Sequence, residues 1–185
     1  MTKPLRLGIA GLGTVGVGVI KIIQNKLSLL EARTGKQILI SAVTAKSKTK
    51  DRGIDLSPYQ WERDPASLAN REDIDVFIEL IGGHEGAAKE AVEIAISKGK
   101  NVVTANKALL AHHGHELALK AEENGSILRF EAAVAGGIPV IKSLTEGLAG
   151  NSINRIMGVM NGTCNYILTR MESSGLSYEE VFSEA

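Results

Sequence analysis

The chain has 185 residues, 44% of them hydrophobic, with 21 lysines and arginines balanced by 21 aspartates and glutamates. A formal charge of zero excludes a general binder of nucleic acid or anionic membrane, which needs a clear basic excess. No apolar run reaches the roughly 18–20 residues of a membrane span. The start MTKPLRLGIAG carries no secretory pattern, and the one cysteine, Cys164, cannot close an internal disulfide. Together these features predict a cytoplasmic protein with one domain, or one complete domain and part of a second.

In chain order, the predicted strands are Leu5–Ala10, Ile38–Ala45, Val76–Ile81, Asn101–Thr104 and Ile127–Phe130. Amphipathic patterns between them predict helices over Val15–Leu30, Glu85–Lys98 and His115–Asn124, with Gly99 and Gly125 placed as C-terminal caps. Short strands alternating with such helices imply βαβ crossovers, and so an α/β fold with a doubly wound parallel sheet over residues 1–130. The stretch KSKTKDRGIDLSPYQWERDP reads as a polar, exposed loop. From residue 131 to 185 the texture changes, as expected of the start of a second, α+β domain. It predicts a glycine-rich turn, a helix from about Pro139, a strand near Asn154–Met160 and a helix from about Thr163. A last helix is predicted behind Ser177, with Glu180 completing a capping box.

Gly11-Leu12-Gly13-Thr14-Val15-Gly16 is a G-x-G-x-x-G turn placed between an apolar strand and a helix. The first glycine permits the tight turn, the second lets a pyrophosphate approach the backbone, and the third lets the helix pack closely. The helix start then offers free N–H groups and a partial positive charge to the phosphates. These features predict a dinucleotide site, against the plainer reading of glycines that serve only a turn. The second predicted strand ends about 34 residues after Gly11, not the usual ~20, and meets Lys46 and Ser47 where an NAD-selective site has an acid. A 2′-phosphate would find a cation there, so NADP(H) is preferred with NAD(H) tolerated; a merely solvated basic loop is the alternative. Lys107 follows the strand Asn101–Thr104, at the end of the sheet where α/β folds bind ligands. A lysine there can hold a substrate oxygen or act as general acid/base, provided burial or a neighbouring charge tunes it.

Read together, GLGTVG, ELIGG, VVTANKALLA, FEAAVAGGIPVIKSL, EGLAGN and NGTCNYILT resemble the homoserine dehydrogenase family over nearly the whole chain. The resemblance implies a Rossmann NAD(P)-binding domain followed by the beginning of a substrate and dimerisation domain. It implies NAD(P)-dependent interconversion of L-homoserine and L-aspartate 4-semialdehyde, on the route to threonine, methionine and isoleucine, by a protein that is commonly a homodimer. Carried over by position, Gly13, Thr14 and Val15 contact the pyrophosphate and Lys46 meets the 2′-phosphate. Ile81, Gly82, Thr104 and Lys107 border the nicotinamide and its ribose, with Lys107 also catalytic, and Gly162 lies in a segment lining the site. Glu131 with the carbonyls of Val134, Gly136 and Ile138 matches a monovalent-cation site, usually Na+, a hard ion suited to oxygen donors. Capping of the following turn is the alternative role for Glu131. The family pattern continues with a second catalytic lysine and further acids that this chain does not include, so little or no turnover is expected from these 185 residues alone.

Four other features have plainer readings. His112, His113 and His115 are expected at an exposed helix end or loop rather than around a metal. His84 lies near the nicotinamide edge and could touch substrate. Cys164 is expected as a small buried side chain rather than a thioester-forming nucleophile, and Trp61 as a loop anchor.

Overall fold

The computed structural model describes residues 3–159 and 161–185. The chain divides into two compact units, Met1–Gly147 and Leu148–Ala185. Among the described residues no helix is long and apolar enough to cross a membrane.

In the first unit, β1 (Leu5–Ala10), β2 (Ile38–Thr44), β3 (Gln60–Trp61), β4 (Val76–Glu79), β5 (Asn101–Thr104) and β6 (Leu128–Arg129) form one sheet in the order β3-β2-β1-β4-β5-β6. Every pairing is parallel. Parallel neighbours need long crossovers, and α1 (Thr14–Thr34), α2 (Pro65–Asn70), α3 (Ala87–Ser97) and α4 (Lys107–Glu123) lie in those connections. Strand order reverses between β1 and β4, the topological switch point at which such sheets leave a crevice beyond their carboxyl ends.

The two faces of the sheet are buried separately. Phe77 points to one face, with Leu68, Val92, Ile96, Leu109 and Leu117 from α2, α3 and α4. Its neighbours Val76 and Ile78 point to the other, with Ile9, Val43 and Ile20 of α1, as strand alternation requires. Phe77 and Ile9 are both fully buried, and each such side chain contributes roughly 1.5–3 kcal/mol. All four residues of β4 are buried, so this strand has apolar neighbours on both faces.

The amino-terminal ends of the strands are tied by charge. Asp75, just before β4, accepts from Lys3 Nζ at 2.9 Å and from the Arg6 backbone N–H, Nε and guanidinium N–H at 3.0, 3.0 and 2.9 Å. The Arg6 guanidinium, first of all, holds the Asp75 carboxyl far below the usual carboxylate range. Nearby, the buried Lys100 ammonium donates to the carbonyls of Ala69, at 2.5 Å, and Arg71, closing the end of α2; burial brings it down to about 8.

Several elements differ from the sequence reading. The loop from Lys46 to Pro65 is not simply exposed. Ile54, Leu56, Tyr59 and Trp61 pack on the α1 face of the core, and two of its residues make β3. Trp61 is thus an anchor, as expected. The helix read as His115–Asn124 begins eight residues earlier, at Lys107, because the Asn106 side chain accepts the Leu109 N–H at 3.0 Å and caps it. His112, His113 and His115 therefore lie inside α4 rather than at its end or in a loop. The expected glycine-rich turn contains a short helix, α5 (Glu131–Val134), which packs against α4 and β5. After α6 (Val140–Lys142) comes one π-helical turn, Ser143–Gly147.

In the second unit, α7 (Gly162–Ser174) and α8 (Tyr178–Glu184) pack on each other, and α8 has the expected capping box between Ser177 and Glu180. The strand expected near Asn154–Met160 is absent: residues 154–159 are irregular and exposed, and Met160 lies outside the described residues. A short apolar stretch becomes a strand only beside another strand that accepts its backbone bonds, and the described residues of this unit include none. Cys164 is exposed rather than buried, since Ile167 and Val181 are the buried hydrophobic residues in this unit.

Asp75 gives the first unit a predictable response to acid. Its folded-state pKa is depressed, so its contribution is complete above the unfolded value of about 3.9 and is lost progressively as pH falls from there through the lower folded value. Asp75→Asn should lower the free energy of denaturant unfolding at pH 7. The gap from the parent should close progressively below about pH 4, and a gap independent of pH would contradict this assignment.

Candidate functional site

The carboxyl end of β1 runs into the glycine turn. Gly11 has φ +99°, and a Cβ there would lie 2.3 Å from the Leu80 carbonyl oxygen. A Cβ on Gly16 would lie 1.9 Å from the Gly11 carbonyl oxygen, so α1 sits directly on the turn that precedes it. Gly13 is different: a Cβ there would meet nothing within 4 Å. It faces open space at the N-cap of α1, where no side chain caps the helix. The first-turn N–H groups therefore have no acceptor within the helix and, with the helix dipole, favour an anion in front of Gly13, Thr14 and Val15. All three residues are exposed.

A cleft of ≈460 Å³ opens in front of this turn, lined among others by Gly13, Ala45, Lys46, Ser47, Arg52 and Ile81. Lys46 and Ser47 thus stand together with the glycine turn, as expected. The structure adds Arg52, whose guanidinium donates to the carbonyls of Leu12 (3.1 Å), Ser47 (2.6 Å) and Lys50 (2.7 Å). It also lies over the Trp61 ring, 5.7 Å from its centroid. Arg52 thereby braces the basic loop against the glycine turn. The sequence shows an arginine in a polar loop there, with no signal that separates a brace from a solvated charge.

The other end of the site is built on Glu79, the last residue of β4, which has no exposed surface. One carboxylate oxygen accepts the N–H groups of Ile81 at 2.7 Å and Gly82 at 3.1 Å. The other accepts the Thr104 hydroxyl at 2.5 Å. Thr104 Oγ1 in turn accepts the Asn106 N–H at 2.9 Å, and Asn106 Nδ2 donates to the Gly83 carbonyl at 2.6 Å. Val15, Leu80, Ile81, Gly82, Ala105 and Asn106 border a smaller hollow of ≈170 Å³. Ile81 and Gly82 thus border this hollow, with their amides held by Glu79. Thr104 is not at the surface: it is 1% exposed and its hydroxyl is spent on Glu79 and Asn106, so it shapes the hollow from behind. Lys107 is the first residue of α4 and is exposed.

The remaining first-unit candidates are not among the residues that line these two hollows. His84 stacks on His112 with ring centroids 4.2 Å apart, and His113 Nε2 lies 2.8 Å from Glu85 Oε1. The His113 contact, first of all, draws the Glu85 carboxyl below its ordinary value. Among the described residues no group of three or more histidine, cysteine, aspartate or glutamate side chains is placed to hold a metal. Glu131 accepts the N–H groups of Ile141 (2.9 Å) and Lys142 (2.8 Å), which is the capping role. The Ile138 carbonyl accepts the Val140 N–H at 2.8 Å, while Val134 and Gly136 are exposed. Gly162 opens α7 in the second unit, behind the Asn161 cap.

Against this geometry the comparisons with known proteins are specific. Residues 11–131 match the family model described as homoserine dehydrogenase, NAD binding domain, and residues 139–185 match that described as homoserine dehydrogenase. The chain is 48% identical over 183 residues to a homoserine dehydrogenase of Neisseria gonorrhoeae, covering 99% of this chain and 42% of the relative. Against the Bacillus subtilis homoserine dehydrogenase the identity is 45%, with the same coverage. Its fold superposes on a crystal structure of a homoserine dehydrogenase from Thiobacillus denitrificans with a TM-score of 0.84 and 39% identity, over 99% of this chain and 42% of that one. The chain thus spans less than half the length of these relatives, and by these matches it belongs to the homoserine dehydrogenase family.

Proposed function

We propose that this chain supplies the nicotinamide dinucleotide site of a homoserine dehydrogenase, which interconverts L-homoserine and L-aspartate 4-semialdehyde. The observation that carries the reading is the uncapped start of α1, which opens through Gly13 onto a cleft edged by Lys46 and Ser47. The pyrophosphate would lie against the amides of Gly13, Thr14 and Val15. Lys46, with Ser47 beside it, would meet a 2′-phosphate, so NADP(H) is the preferred cofactor. Ile81, Gly82 and Asn106 would border the nicotinamide end.

A bound nicotinamide supplies the hydride acceptor or donor for the carbon that bears the homoserine hydroxyl. The chain's own part is to hold both partners in register and to limit water between them. Lys107 is the side chain assigned to hold or move the hydroxyl proton, at the entrance to α4. For a monovalent cation, the donors are the carbonyls of Val134, Gly136 and Ile138 and the lone pairs that the Glu131 carboxylate keeps beyond its two N–H partners. An all-oxygen set of this kind suits Na+.

Calorimetric titration separates the parts of this reading. NADPH should bind more tightly than NADH. Lys46→Ala should weaken NADPH about 10- to 100-fold, the range of a charge-assisted hydrogen bond, and leave NADH within about twofold. Equal losses for both would remove Lys46 from phosphate recognition. The glycines should divide as well. Gly13→Ala should fold with a loss of no more than about 1 kcal/mol, that of an alanine at an N-cap, yet lose cofactor affinity, because its methyl enters the ligand's space. Gly16→Ala should lower the stability of the chain itself by about 1–3 kcal/mol, as thermal unfolding without cofactor would show. A stable Gly16→Ala variant would contradict the packing described.

A further inference from the structure

We infer that Glu79 is a positioning residue for the nicotinamide half of the cofactor, an inference that rests on the dinucleotide site proposed above. Three donors converge on its buried carboxylate: two are amides of the turn that follows β4, and the third is a hydroxyl at the end of β5. The turn it holds is unusual. Gly82 and Gly83 both have positive φ, +87° and +84°, so little in the local backbone preference fixes this segment. The carboxylate fixes it from inside.

The same carboxylate governs the neighbouring strand end. Thr104 donates to Glu79 and accepts the Asn106 N–H with the same oxygen. Asn106 then returns to the glycine turn through the Gly83 carbonyl and caps α4 through the Leu109 N–H. Glu79 thus joins the Ile81–Gly83 turn and the first turn of α4, which begins with Lys107, into one rigid shelf. The hollow bordered by Val15, Ile81, Gly82 and Asn106 lies on that shelf, while the cleft edged by Lys46 and Ser47, which shares Leu80 and Ile81 with the hollow, is braced at its far edge by Arg52.

Both turn amides meet one carboxylate oxygen, which a glutamine keeps, but its NH2 group would take the place of the other oxygen and leave the Thr104 hydroxyl proton without its acceptor. The shelf would open locally, while the adenosine end, braced by Arg52, would stay as it is.

The test compares two ligands on the full chain: NADPH, and ADP-ribose 2′-phosphate, which has the same phosphates and adenosine but no nicotinamide. Glu79→Gln should weaken NADPH at least tenfold and ADP-ribose 2′-phosphate less than twofold, and should lower the fluorescence of bound reduced nicotinamide. Thr104→Val removes one of the three donors and keeps the carboxylate. It should give the same split, at least threefold, and carries the test if Glu79→Gln does not fold. Equal weakening of both ligands would mean that Glu79 only supports the fold, and unchanged binding of both would mean that the shelf does not depend on it; either result overturns the proposal. If the parent chain binds neither ligand, the cofactor reading itself fails and the proposal falls with it.

Discussion

A carboxylate with no exposed surface sits at the centre of the first unit, and the site is arranged around it. Burying an isolated carboxylate is costly, so such a group persists only where hydrogen bonds replace its water. Glu79 has that replacement in Ile81, Gly82 and Thr104. Ile81 and Gly82 lie beyond the end of β4, where their amides would otherwise lack partners, and Thr104 is the last residue of the neighbouring β5. The charge therefore converts two loose strand ends into a surface of fixed shape. β4 supplies the rest of the condition, since its apolar neighbours on both faces leave the carboxylate no route to solvent.

The opposite end of the crevice uses a different device. There the glycine turn exposes backbone rather than side chains, and contact between Gly16 and the Gly11 carbonyl sets how closely α1 approaches β1. Arg52 completes that end by holding the Lys46–Lys50 loop to the Leu12 carbonyl. One end thus presents helix amides and cations, and suits phosphate. The other presents a neutral hollow above a buried anion. A dinucleotide is an elongated ligand with anionic phosphates and an uncharged or cationic ring, and these two ends differ in the matching sense.

The sequence reading reached the glycine turn because its chemistry is local: spacing, the preceding strand and the following helix all lie within about twenty residues. Five of the six strands were legible for the same reason, even the two-residue β6, which lies in the mostly apolar run Ile127–Phe130, whereas β3 lies in the polar stretch SPYQWERDP with no such run around it. Asn106 was a missed signal, since an asparagine directly before a helical pattern is a common N-cap. Asp64 before Pro65 was another, and marks the start of α2. Glu79 also left a trace, as an acid closing the run VFIE, but its partners come from Ile81, Gly82 and Thr104, and only the folded sheet brings Thr104 to it. Arg52 left none. The strand expected near Asn154–Met160 failed because a short apolar stretch does not specify the partner strand it needs.

The most direct measurement of this central constraint is native-state hydrogen exchange of individual backbone amides by NMR. In ordinary loop positions, amides of residues such as Ile81 and Gly82 would exchange nearly as fast as in an unfolded chain. If the buried carboxylate holds them, the Ile81, Gly82 and Asn106 amides exchange as slowly as those within β1 and β4. Exchange at the rate of an exposed loop would show that Glu79 does not fix this surface, and would contradict the account.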